Sequence, residues 1–308
     1  MYFDAHSDIW CDVTARRLKG ETDVLRRRHL ERLRKGGVEG SIFVIWVDPP
    51  YDVDYVKRTK EIMQCAKAEA EECDEIRIVH NYAEMMQAKA DGKIYVFHGI
   101  EGLAAIGEDI SKIDEYYDFG CRHAILTWNE ANALGAGANS GESYGLTETG
   151  KKAARKVQDK GMILDMSHLN EAGFWDCMKL ATKPIIASHS NCRALCDVDG
   201  VVGLNSFKDF IDPRGPEQTV ENLARHADHM INVMGIDHVG CGFDFFEFIN
   251  DEAMGTMTED SSPAAHGMKD ASEIPNLFSC FEKMGMTKEE MDKIARVNFQ
   301  NLVKRTIG

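Results

Sequence analysis

Short apolar runs alternate along this chain with segments of helical periodicity and with turn-rich loops, the spacing expected of repeated strand–helix units. Residues 2–8, 41–47, 94–100, 122–127, 162–167, 184–188, 201–205 and 238–244 read as strands, about eight in all, the number a closed barrel needs. Residues 56–73, 147–160 and 218–234 place apolar positions at helical spacing; the second opens on Thr147 and closes before Gly161. The expected fold class is therefore α/β, a (β/α)8 TIM-type barrel, with residues 1–308 as a single domain. Two long stretches, 129–145 and 245–276, follow the fourth and eighth of these strands. In such a barrel both leave from the face that carries chemistry, so they are expected to face substrate.

Composition narrows the partners. With 44% hydrophobic residues the 308-residue chain can bury a large core, and its formal net charge of −15 argues against nucleic acid or an anionic membrane surface. No run approaches the length of about 20 apolar residues needed to cross a bilayer, and the first strand starts at once, without a leader. The nine cysteines are odd in number and mostly lie inside apolar segments, unlike a disulfide framework, so a reducing cytoplasm is the expected setting. A small-molecule substrate fits this chain better than a macromolecular partner.

The strand ends carry the chemistry. In Asp4-Ala5-His6-Ser7-Asp8 the even positions share one strand face, so His6 and Asp8 can chelate one ion. Glu101 follows the third run, where its two oxygens can span two ions, and His168 and His189 end the fifth and sixth runs as imidazoles for the second. Three imidazoles with two carboxylates suit two divalent ions of zinc type better than calcium or magnesium, which prefer oxygen shells. Asp244, at the end of the eighth run, is the natural general base. Two such ions would acidify a shared water, and Asp244 would take its proton and pass it to a leaving amine.

The segments DAHSD, GIEG, LDMSH, ASHSN and GFD, in this order, resemble the membrane (renal) dipeptidase family of the amidohydrolase superfamily, and the likeness spans nearly the whole chain. Supporting stretches are Leu126-Thr127-Trp128-Asn129, Gly145-Leu146-Thr147, residues 267–277 and residues 298–304. The resemblance implies a binuclear zinc dipeptidase, tolerant of a D-residue at the C-terminal position and assembled as a homodimer, with the same metal and proton-transfer roles. Three departures bear on specificity. Trp128 stands where the animal enzymes carry a substrate-positioning His, an Arg of the loop after the second metal His is missing, and the strand-eight motif runs on as Asp244-Phe245-Phe246-Glu247. Trp128, Asn129 and Arg193 are the expected substrate contacts, and the pocket is expected to differ from that of ordinary dipeptidases.

Other readings compete. A hydrolase of another small amide, lactam or N-acyl compound would use the same ligands, and a non-catalytic metal-binding relative would keep them without turnover. Gly141-Glu142-Ser143-Tyr144-Gly145 matches the nucleophile elbow of serine hydrolases but lies in a Gly-rich loop rather than on a strand-to-helix turn. Asp4 and Asp165 are candidates for orienting ligand imidazoles, whereas His98 and His123 are expected to serve the core, and Cys192, Cys196 and Cys241 to pack.

Overall fold

The computed structural model describes residues 1–189, 193–212, 215, 217–250, 253–255 and 263–308, without the side chain of Arg193. Nine strands form one parallel sheet: β1 (Tyr2–Ser7), β2 (Val38–Trp46), β3 (Ile76–Ile78), β4 (Ile94–Glu101), β5 (Cys121–Ile125), β6 (Ile163–Asp165), β7 (Ile186–Ala187), β8 (Val201–Leu204) and β9 (Val239–Cys241). β2 pairs with both β1 and β4, and β9 with both β8 and β1, so eight strands close on themselves and helices surround them. The expected (β/α)8 barrel is the fold.

The ninth strand was not anticipated. β3 adds to the outer end of β4 over Ile94–Val96, on the edge that β5 takes from His98 onward, so it extends the sheet without entering the barrel. Three residues give too little pattern to separate a strand from a loop. The three expected helices are present at Tyr55–Glu72, Glu148–Asp159 and Val220–Met234, the last two opening on the side-chain caps of Thr147 and Thr219. The stretch read as one loop from 245 to 276 in fact ends in the helix Ile274–Lys283, and part of it lies outside the described residues.

All nine residues of β2 are buried, because a parallel sheet in a barrel has both faces covered. Alternate residues part company. Ile42, Val44 and Trp46 join Phe3, Tyr95, Phe97, Ile163, Ile186 and Val201 in the interior cluster, whereas Phe43 and Ile45 pack outward under the helices with Val96 and Ile100. Gly99 shares the inward parity of Phe97 and Glu101, and a Cβ there would lie 2.5 Å from His123 Nδ1. Only a glycine lets the His123 ring into the barrel.

That ring meets a buried carboxylate. His123 Nε2 lies 2.6 Å from Asp165 Oδ2, and Asp165 Oδ1 accepts the backbone amides of Ser167 at 2.8 Å and Ser188 at 3.2 Å. Burial alone would raise the Asp165 pKa, but the His123 contact holds it well below the usual carboxylate range. Asp165 thus ties β5, β6 and the segment beyond β7 together from the inside, immediately before His168 and His189. Asp165→Ala would strand three buried donors. It is expected to lower unfolding stability by about 3–5 kcal/mol, read as a reduced urea midpoint; a loss under about 1 kcal/mol would show that the barrel does not lean on this group.

Candidate active site

The metal-binding candidates converge at the C-terminal mouth of the barrel. His6 lies on β1, Asp8 opens the helix Ile9–Arg17, Glu101 ends β4, and His168 and His189 follow β6 and β7. Simple alternation does not place His6, since Phe3 and Ala5 of the opposite parity also face the interior. The pairing of β1 with β2 slips between Asp4 and Ser7, which turns His6 to the mouth as well.

Glu101 sits between two groups. Its Oε2 is 3.2 Å from His6 Nε2, which lies 3.5 Å from Asp8 Oδ2, and its Oε1 is 2.7 Å from His168 Nε2 and 3.8 Å from His189 Nε2. Asp244 Oδ1 stands 3.9 Å from His6 Nε2. The carboxylate therefore divides the nitrogens into two sets, one on each oxygen. His168 and His189 face each other with their Nε2 atoms 2.8 Å apart.

Backbone strain marks two of these positions. His168 and Asp244 adopt φ of 65° and 57°, the left-handed region that side chains beyond glycine and asparagine seldom occupy. Both residues lie past the end of their strands, where the chain must turn sharply to carry the side chain back over the mouth.

Partners outside the cluster fix the rings. His168 Nδ1 is 3.0 Å from Asn129 Oδ1, and His189 Nδ1 is 2.8 Å from Ser188 Oγ, so each ring presents Nε2 inward. Asn129, expected to contact substrate, thus has its oxygen engaged with an imidazole. Asn205 Nδ2 donates to Asp244 Oδ2 at 3.1 Å. Asp4 and Asp165 reach no ligand ring; Asp4 Oδ1 accepts the amide of Phe243 at 2.9 Å and that of His6 at 3.5 Å, orienting backbone instead. Ser188 and Asn205 carried no signal in the sequence beyond standing next to, or across a strand from, a functional residue.

The electrostatics are those of ionisable groups taken out of water. His6, Asp8, Glu101 and His189 are each under 7% exposed. Burial, helped by the charge of Glu101, pushes Asp8 up to about 7. Burial likewise raises Asp244, again with Glu101 contributing. For Glu101 burial acts upward, but His6 and His168 overcome it and hold the carboxyl well below its usual range. His189 goes the other way: burial, then the neighbouring imidazoles, drive it well below the ordinary histidine value. No Lys or Arg among the described residues pairs with Asp8, Glu101 or Asp244.

This donor set fits divalent ions. Asp8 Oδ1 is buried with no hydrogen-bond partner among the described residues, and His6, Glu101 and His189, like His6, Asp8 and Asp244, bring ligand atoms within 4.8 Å of one another. Mixed imidazole and carboxylate donors around a shared glutamate suit zinc or a similar borderline ion.

A family model for membrane dipeptidases, peptidase family M19, matches residues 1–307. The chain belongs to that family. It is a metallodipeptidase, in line with the resemblance seen in its motifs. An uncharacterised dipeptidase of Schizosaccharomyces pombe is 26% identical, covering 96% of this chain and 75% of the relative. The M19 dipeptidase AC superposes with a TM-score of 0.85 at 24% identity over 100% of this chain and 99% of its own. A metallopeptidase of Rhodobacter sphaeroides gives 0.83 at 23% identity, covering 99% of each chain. Both structures share the fold.

Of the remaining expectations, Trp128 packs its ring 5.2 Å from that of Trp46 and 6.1 Å from that of His168, placing an aromatic wall beside the cluster. Arg193 opens the short helix Arg193–Val198, and its side chain, with Cys192, lies outside the described residues. Cys241 is buried, Cys196 is partly buried and His98 accepts from Trp10 Nε1 at 3.1 Å in the core. Ser143 is exposed on its loop, away from any strand-to-helix turn. Among the described residues no helix is long and apolar enough to cross a membrane.

The ring-fixing contacts are testable apart from catalysis. Asn129→Ala frees His168 Nδ1 and is expected to weaken divalent-ion binding by roughly 10- to 100-fold, measured by competition with a chelator. An unchanged affinity would show that Asn129 does not orient the ligand.

Proposed function

We propose that this metallodipeptidase holds two divalent ions, zinc by preference, with His6 and Asp8 on one, His168 and His189 on the other, and Glu101 between them. The observation that supports this most directly is the division of imidazole nitrogens between the two oxygens of a single buried carboxylate. Ions held in this way would acidify water and polarise the scissile carbonyl.

Asp244 moves the proton. Its Oδ1 faces the cluster while Oδ2 is held by Asn205, and its side chain is 15% exposed, so it meets both the reacting centre and solvent. In the metal-free cluster, burial and then the charge of Glu101 hold it above the ordinary carboxylate range. It accepts the proton of the attacking water and returns it to the leaving amine, with no covalent intermediate on the chain.

The substrate is a small dipeptide. The Rhodobacter sphaeroides metallopeptidase of the same fold binds a phosphinate mimic of L-Ala-D-Ala, which supports tolerance of a D-residue at the C-terminal position here. An N-acyl compound or lactam presents the same amide to the same groups and is the second reading, separated by a substrate panel. The net charge of −15 supports a small-molecule substrate rather than a nucleic acid or a membrane.

Asp244→Asn keeps the shape and the Asn205 contact but removes the base. On L,L and L,D dipeptides it is expected to lower kcat by at least about 100-fold while bound metal, measured on the same sample, stays at the wild-type level. Full activity in this variant would refute the proton-transfer role; wild-type cleavage of N-acyl amino acids but of no dipeptide would favour the second reading.

A further inference from the structure

Beside the metal-ligand cluster lies a small pocket of about 70 Å³, lined by Trp46, Asp52, Tyr55, Glu101, Trp128 and Glu130 among others. Its aromatic members are set at the mouth by the ends of β2 and β5 and by the start of the helix Tyr55–Glu72. Glu101 belongs to both sites. The pocket therefore adjoins the metal-ligand cluster.

Glu130 is the unusual member. Both of its carboxylate oxygens are buried, and apart from its own backbone amide neither has a partner among the described residues. A carboxylate in this position ordinarily carries a basic side chain or several donors, because desolvating it unpaired is costly. The loop around it is well tied: the Gly137 amide donates to the Glu130 carbonyl at 3.0 Å, and the Asn139 amide to the Asn129 carbonyl at 3.1 Å. The backbone is thus held in place while the side-chain charge is left unmatched.

Two further observations point to an organic ligand. Trp46 is 3% exposed, yet its indole Nε1 has no acceptor among the described residues, which leaves a donor unused on the same lining. Asp52 adds a second negative charge at the exposed edge, and Tyr55 is pushed up to about 12 by burial and then by Glu130 and Asp52, so its hydroxyl stays protonated. Indole faces, a phenol and an unpaired carboxylate together form a cage for an alkylammonium or guanidinium.

We propose that this pocket takes a cationic side chain of the substrate, selecting dipeptides that carry a lysine- or arginine-like residue. Glu130 forms the charge-assisted hydrogen bond, Trp46 and Trp128 cover the alkyl stem, and Trp46 Nε1 meets a ligand carbonyl. The pocket gives this enzyme a side-chain preference in addition to its peptide-bond chemistry. It rests on the dipeptidase reading above for the identity of the molecule that carries the cation, but not for the binding of the cation itself.

The test has two arms on the metal-loaded protein. In the first, kcat/KM is compared for Lys-Ala against norleucine-Ala and for Ala-Lys against Ala-norleucine, in wild type and in Glu130→Gln. The lysine member of at least one pair is expected to be favoured by about ten-fold or more, and the ratio to fall towards one in the variant. Asp52→Asn, at an exposed position that does not threaten the fold, should reduce the same ratio by a smaller factor. In the second arm, calorimetry compares pentylammonium with pentan-1-ol, expecting ammonium binding that Glu130→Gln weakens by about ten-fold. Equal treatment of lysine and norleucine, or a ratio unmoved by Glu130→Gln, would each overturn the proposal. Ammonium binding that depends on Glu130 without cleavage of any dipeptide would instead overturn the hydrolase reading and leave the pocket standing.

Discussion

Everything at the mouth of this barrel depends on one buried glutamate. Glu101 ends β4, a strand buried along its whole length, and holds an imidazole against each of its oxygens, in surroundings too dry to screen the neighbouring acids. Burial, with the charge of Glu101 adding to it, raises Asp8 and Asp244 above the ordinary carboxylate range even with the histidines beside them. Divalent cations offset such buried charge more completely. The geometry that makes the metal-free cluster electrostatically expensive is the geometry that makes it a strong ligand set.

The barrel supplies the rigidity such a cluster needs. Beneath it the His123–Asp165 pair fills the space that Gly99 leaves, and Asp165 grips the amides of Ser167 and Ser188, so the segments carrying His168 and His189 are fixed to one another before either ring is considered. Above it, left-handed backbone at His168 and Asp244 bends the chain over the opening, and Asn129, Ser188 and Asn205 hold the outward atoms of the functional groups. Support from below and from outside leaves the inward atoms as the free variables, and those are the atoms that chemistry uses.

Much of this was legible in the sequence, for a physical reason. In a parallel barrel each strand is buried on both faces and ends at the working face, so an apolar run broken by His, Asp or Glu announces both a strand and a site residue. His6, Asp8, Glu101, His168, His189 and Asp244 were found in that way and do meet in space. What escaped depends on contacts between segments distant in sequence. The three-residue β3 has no pattern of its own. Asn129 reads as a loop residue facing substrate until the ring of His168 is seen against it, and Asp165 reads as a helper of imidazoles until its bonds to backbone amides are seen. Glu130 carries no signal of its own, because nothing in the sequence records that its oxygens are buried with no side-chain partner among the described residues.

Whether Glu101 serves two ions at once is measured directly by metal content. Zinc bound per chain, determined by elemental analysis after equilibration and removal of excess metal, should be two for the wild-type protein and one or fewer for Glu101→Gln, with both proteins folded. A wild-type chain that retains a single ion, or a Glu101→Gln variant that retains two, would contradict the bridge on which the rest of the reading is built.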